Sequence, residues 1–158
     1  MDKALFFNAT RNGDIATVKD QIAANKKYIE LTDERGSTPL ILASYYNQVQ
    51  LVNFLIEKGA LIDGQDGSGN TALMGVCFKG FKETAVSLIK AGANVNQKNA
   101  MGGTCLIYAV TFGHVEIAKI LLENGADKTL KDARGSTALD HAKTQESDKL
   151  IALLTTPN

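Results

Sequence analysis

Few residues of this 158-residue chain have side chains that could do chemistry. They are two cysteines, Cys77 and Cys105, two histidines, His114 and His141, and three aspartates that recur at matching places, Asp33, Asp66 and Asp132. A thiol or carboxylate beside an imidazole would suggest covalent or acid–base catalysis, and cysteines near histidines would suggest zinc. None is spaced for it. The cysteines form no CxxC pair and no Cys/His cluster. Both fall where small residues are expected to pack in helices, so they read as buried thiols behaving as small hydrophobes. The three aspartates belong to separate segments, too far apart for a carboxylate pair, and His141 stands alone near the C-terminus. No phosphate-binding loop and no Gly-x-Ser-x-Gly motif occurs. The expectation is a protein that is not an enzyme and holds no cofactor and no metal.

Bulk properties narrow the partners. Lysine plus arginine equal aspartate plus glutamate at 17 each, which gives no general attraction to nucleic acid or to an anionic membrane. No stretch approaches the roughly 20 apolar residues of a membrane helix. The first residues, Met1 to Phe7, lack the basic and apolar regions of a signal peptide, so a cytoplasmic location is expected.

The elements that must position these side chains announce themselves by repetition. Gly36, Gly69, Gly102 and Gly135 recur every 33 residues, with Thr38, Thr71, Thr104 and Thr137 in step, then Leu40, Leu73, Leu106 and Leu139. Gly59, Gly92 and Gly125, each followed by alanine, keep the same period. Asp33-Glu34-Arg35-Gly36 starts a tight turn on its aspartate and completes it on glycine; Asp66 and Asp132 repeat this, and Asn99 takes the place in the remaining copy. Each threonine is a helix N-cap, and Pro39 suits the first helical position. The first helix carries Ala43, Val76, Ala109 and Ala142 in one phase, which allows close helix approach. Asn47, Gly80 and Gly113 break it. A second helix places Val52, Leu55 and Ile56 at helical spacing, with Ala85, Leu88, Ile89 and Ala118, Leu121, Leu122 equivalent, and Gly59, Gly92 and Gly125 close it. One such pair cannot bury its apolar face alone, so neighbours must stack.

On these residues the chain resembles ankyrin repeat proteins. Asp33-Glu34-Arg35-Gly36-Ser37-Thr38-Pro39-Leu40 matches the family's opening, and Gly113 to Asp127 matches its second half. The resemblance implies an all-α solenoid of stacked helix-turn-helix units joined by β-turn or hairpin loops. A single domain over 1–158 is expected, with a cap at 2–32, repeats at 33–65, 66–98 and 99–131, and a C-terminal cap at 132–154. The first unit is out of step by one residue, placed in its exit loop, and carries Asp20 and Gln21 where the next has Phe54 and Leu55, as suits an end facing water. The family usually has histidine after Thr-Pro-Leu, bonding neighbouring loops; here Ile41, Met74, Ile107 and Asp140 stand there. Apolar contact is expected in place of that ladder.

The architecture implied by the resemblance lines a concave groove with the turn tips and the ends of the first helices. The turn tips, among them Arg35, Ser37, Ser68, Met101 and Gly103, are mostly small or polar. The helix ends are more distinctive: Tyr45-Tyr46, Phe78-Lys79 and Thr111-Phe112, against Arg11-Asn12 and Thr144-Gln145 in the caps. Four of the ten aromatic residues thus stand at solvent-favoured positions, aligned across the middle repeats. Two readings of these rings stay open: a stripe for a partner protein, since aromatic residues are enriched in interface cores, or sideways packing that covers the core. Tyr108, further into its helix, leans towards packing. The expected site is Tyr45, Tyr46, Phe78, Lys79, Thr111, Phe112, Arg35 and Met101. The expected function is protein–protein interaction by a monomer; the alternative is a regulatory or inhibitory subunit of one enzyme, and a small enzyme or ligand-binding protein is a third class.

Overall fold

The computed structural model describes residues 2–157. Among them are ten α-helices and one 3₁₀ turn, with no strand. The helices come in pairs: α1 (Lys3–Asn12) with α2 (Ile15–Ala24), α3 (Pro39–Tyr45) with α4 (Val49–Glu57), α5 (Ala72–Lys79) with α6 (Lys82–Lys90), α7 (Cys105–Thr111) with α8 (Val115–Glu123), and α9 (Ala138–Thr144) with α10 (Asp148–Thr155). The first helices α1, α3, α5, α7 and α9 pack in one row, and α4, α6, α8 and α10 in a second row behind it.

The chemistry of each unit is local. The hydroxyls of Thr38, Thr71, Thr104 and Thr137 accept from the backbone N–H three residues on, which satisfies a donor that the first helical turn leaves free. In the last unit Asp140 answers by accepting from the Thr137 N–H at 2.8 Å, completing a capping box. Ahead of each cap, one side-chain oxygen of Asp33, Asp66, Asn99 or Asp132 accepts from the amides two and four residues later, at 2.9–3.0 Å. Gly36, Gly69, Gly102 and Gly135 take left-handed backbone at φ 69–79° there, and a Cβ on Gly69 would lie 3.0 Å from the Ala100 nitrogen. Glycine therefore serves both the turn and the approach of the next loop.

Stacking fills the core. Ala43, Val76, Ala109 and Ala142 are fully buried between neighbouring first helices, and Val52, Leu55, Ala85, Leu88, Ala118 and Leu121 bury the second row against them. Removing such apolar surface from water is the main stabilising term, at roughly 25 cal/mol per Å².

The structure departs from the sequence reading in three places. The absent histidines do not remove the bond ladder between loops: backbone amides carry it, from Gly67 to Arg35, Ala100 to Ser68 and Ala133 to Met101, at 2.9–3.0 Å. Ile41, Met74 and Ile107 are buried as expected, so apolar contact accompanies the ladder and does not replace it. The exit loop of the first unit is a 3₁₀ turn, Lys26–Glu30, whose Tyr28 sets its ring edge-on to Phe6 at 4.9 Å. The last unit also breaks its first helix with left-handed backbone, on Glu146 at φ 53°, where Asn47, Gly80 and Gly113 serve in the middle repeats.

Candidate partner-binding surface

Six of the residues expected to bind a partner stand where the first helices end, and several meet there; Arg35 and Met101 stand at the turn tips. Tyr45 and Tyr46 close α3, with ring centroids 5.5 Å apart, edge to face. Phe78 near the end of α5 and Phe112 at the C-cap of α7 meet across the repeat boundary at 4.4 Å and 67°. Lys79 places its ammonium 5.0 Å from the Tyr45 centroid and 5.9 Å from that of Phe81, within cation–π range. The rings pack on one another, and Tyr45, Tyr46, Phe78 and Phe112 stay 37–48% exposed.

A line of shallow hollows joins these rings to the turn tips. The first holds Arg35, Tyr45 and Tyr46 with Asp33 and Asp66. The second, of about 300 Å³, lies between Tyr45 and Phe78 with Tyr108 and Asp66 on its wall. The third holds Met101, Thr111 and Phe112 with Tyr108 and His141. Arg35 and Met101 are exposed. Thr111 is half-buried, and its carbonyl is occupied by the Gln145 side-chain amide at 2.8 Å. Of the small turn-tip residues, Ser37 and Gly103 are buried rather than presented.

Several polar side chains act across repeats in ways that the sequence reading missed. His141 is not alone: its Nε2 lies 2.8 Å from Asp132 Oδ2. That hydrogen bond, followed by the Ser136 amide, holds the Asp132 carboxyl below the ordinary carboxylate range. Nor does the turn exhaust Asp33, whose other oxygen pairs with Arg11 at 3.0 Å. The Tyr108 hydroxyl accepts from the Asn99 side-chain amide at 2.6 Å, so Tyr108 packs as expected but with a polar partner. His114 sets its Nε2 3.0 Å from the Phe78 carbonyl and covers Gly80. Glu30, Asp63 and Asn96 accept from the amides of Leu61, Asn94 and Asp127 at 2.7–2.9 Å, a second ladder on the exit loops. Its signal was available, since these acceptors are also 33 residues apart.

The cysteines are buried free thiols, and burial, followed by the neighbouring Cys105, pushes the Cys77 thiol well above its usual range. Among the described residues no group of three or more His, Cys, Asp or Glu side chains is placed to hold a metal ion, and no helix is long and apolar enough to cross a membrane.

Paired helices in two rows, Asp/Asn-to-Gly turns bonded loop to loop and an exposed strip at the helix ends define a helix-pair repeat scaffold that offers an open surface. The chain belongs to the ankyrin repeat family: the model for three ankyrin repeats matches residues 6–99 and again 73–158. It is similar to human M-phase phosphoprotein 8, with 37% identity over 78 residues, 49% of this chain and 9% of that protein. The rat ankyrin repeat and SAM domain-containing protein 6 gives 37% over 78 residues, again 49% and 9%. Palmitoyltransferase akr1 of Schizosaccharomyces pombe gives 36% over 61 residues, 39% of this chain and 10% of that protein. The chain thus spans about a tenth of the length of these relatives. Ankyrin repeats are protein–protein interaction modules, and the family is in general non-enzymatic, although one of these relatives is named as an enzyme.

Proposed function

We propose that this protein binds a partner protein, as a monomer, along the strip formed by the ends of its first helices and its turn tips. The observation that carries this reading is the row Tyr45, Tyr46, Phe78 and Phe112: four large rings, all in the middle repeats, each more than a third exposed. Folding does not require rings there, because the caps carry Arg11-Asn12 and Thr144-Gln145 at the same place. Rings held by one another lose little side-chain freedom on binding, which favours their use as anchors. Lys79, Arg35, Thr111 and Met101 flank the row as its polar and apolar rim. The even charge balance argues against nucleic acid as the partner. Two buried free thiols accord with a reducing compartment, and we place the protein in the cytoplasm.

The test is capture of the natural partner by wild type and by a variant with Tyr45, Tyr46, Phe78 and Phe112 all changed to Ala, each first shown to be folded by circular dichroism and a cooperative melt. The reading predicts loss of capture by the folded variant. Undiminished capture would sink it. Regulation of one enzyme is the form this binding takes if the captured partner is an enzyme whose rate changes at saturation.

A further inference from the structure

The four turns carry the same acid or amide, but its outer atom is met differently in each. Asp33 Oδ2 is met by Arg11 at 3.0 Å, from the unit before. Asn99 Nδ2 meets the Tyr108 hydroxyl at 2.6 Å, and Asp132 Oδ2 meets His141 Nε2 at 2.8 Å. Tyr108 and His141 each stand nine residues after the turn residue they contact; the equivalent positions in the earlier repeats are Leu42 and Gly75. Asp66 is therefore the exception. Its Oδ1 accepts from the Ser68 and Asn70 amides like the others, but among the described residues Oδ2 has neither a hydrogen-bond donor nor a cation within 4.0 Å.

Gly75 opens the space in front of that oxygen. It lies inside α5, where glycine is less favourable than alanine. No close neighbour demands it: an added Cβ would meet only Tyr45 Cδ2, at an ordinary 3.5 Å. The missing side chain leaves the hollow of about 300 Å³ whose walls include Asp66, Met74 and the rings of Tyr45, Phe78 and Tyr108. Met74 is fully buried and Asp66 half-buried; Asn70 and Thr71 also line the notch, which is mainly apolar with one unpaired carboxylate oxygen at its rim.

That combination selects a cation on an apolar stem. Ring faces attract an ammonium or guanidinium, the carboxylate supplies a charge-assisted hydrogen bond, and methylenes cover the apolar floor. An apolar side chain would desolvate the carboxylate and leave it unpaired, and a neutral donor would pair with it more weakly than a cation. The chain's own cations leave the position vacant: Lys79 lies over Tyr45 without pairing to Asp66, and Arg35 lines the adjoining hollow without reaching it. We propose that the Asp66–Gly75 notch receives a lysine or arginine side chain of the protein bound in the groove. This proposal rests on the groove reading above and adds what the partner must present at its middle.

The experiment uses the whole protein and small probes. N-acetyl-arginine amide and N-acetyl-lysine amide are titrated into labelled protein while backbone amide resonances are followed, beside the neutral counterparts N-acetyl-citrulline amide and N-acetyl-norleucine amide. Saturable shifts are expected at Asp66, Met74 and Gly75 with the cationic probes, with neutral probes binding about fivefold more weakly, the size of one partly exposed charge contact. Two variants borrow solutions from other repeats and should keep the fold: Asp66→Asn copies Asn99, and Gly75→His copies the His141–Asp132 pair. Both, with melts like wild type, should weaken the cationic probes about fivefold or more. Equal binding of cationic and neutral probes, or cationic binding that survives both substitutions, overturns the notch. No partner enters this titration, so its failure leaves capture by the aromatic row standing, and failed capture leaves the titration readable.

Discussion

The middle of the stack and its ends use the same period and finish their surfaces differently. Where the repeats meet the caps, the turn acids are met by cap side chains, Asp33 paired with Arg11 and Asp132 hydrogen-bonded to His141, and the first helices of the caps stop on Arg11-Asn12 and Thr144-Gln145. In the middle the Asp66 outer oxygen is left open, and the helices stop on Tyr45-Tyr46, Phe78-Lys79 and Thr111-Phe112. The C-terminal cap shares the turn and the threonine cap with the middle repeats, and the N-terminal unit, capped by Asp2, shares the helix pair and its buried face. What distinguishes them lies in the side chains at the helix ends and in what meets the outer atom of each turn acid. The difference teaches that the scaffold's repeating chemistry and the exposed side chains it carries can be changed separately, and substitutions can test that separation.

The largest effect should come from the shared core. Leu88→Ala and Leu121→Ala each remove a fully buried side chain between rows, and each should cost about 2–5 kcal/mol in equilibrium unfolding. A cost below that range at either site would break the claim that the period alone explains these residues. Next are the caps: Thr71→Ala in the middle and Thr137→Ala at the end should each lose about 1 kcal/mol. Thr137 should lose at least as much, because Asp140 depends on it for its capping box. Two substitutions should stabilise. Glu146→Gly relieves left-handed backbone at φ 53° and should add about 1 kcal/mol. Gly75→Ala removes a helix-interior glycine and should add up to about 1 kcal/mol; a loss instead would mean that α5 needs the glycine for packing.

The smallest effect is the pH dependence. Asp14, Asp127, Asp132 and Asp140 are held below the ordinary carboxylate range, first by the Thr17 hydroxyl, the Thr129 hydroxyl, His141 and the Thr137 amide respectively. Folded values below unfolded ones mean that the unfolded chain binds more protons. Their stabilising contribution is therefore complete above the unfolded carboxylate values, about pH 4, and is lost as the pH falls through the folded values. Thermal melts should hold level from neutral pH down to about 5 and drop below 4, and the drop should shrink in Asp132→Asn.

Much of this was legible in the sequence because turns, caps and left-handed glycines answer to local backbone chemistry, which a residue and its near neighbours decide. Thr38 and its three equivalents cap as their position implies, and Gly59, Gly92 and Gly125 close the second helices at φ 88–95°. The aromatic row was legible for the converse reason, since it fits no structural requirement of the period. Contacts between repeats were not. That Arg11 reaches Asp33, or that His141 reaches back to Asp132, depends on how far one unit is rotated on the next and on side-chain rotamers. Glu146 was missed because its residue type is rarely used for left-handed backbone. The backbone ladder is not legible because the family resemblance points to histidine as its carrier, whereas the amides of Gly67, Ala100 and Ala133 suffice.

The central claim is that the partner meets the helix ends of the middle repeats and not the outer row of helices. The direct measurement places a photoactivatable cross-linking residue at Phe112 in one variant and at exposed Lys119 on α8 in another, and compares the yield of partner adduct in the native extract. The account predicts an adduct from position 112, suppressed by excess unmodified wild type, and little from 119. An adduct from 119 with none from 112 would contradict it.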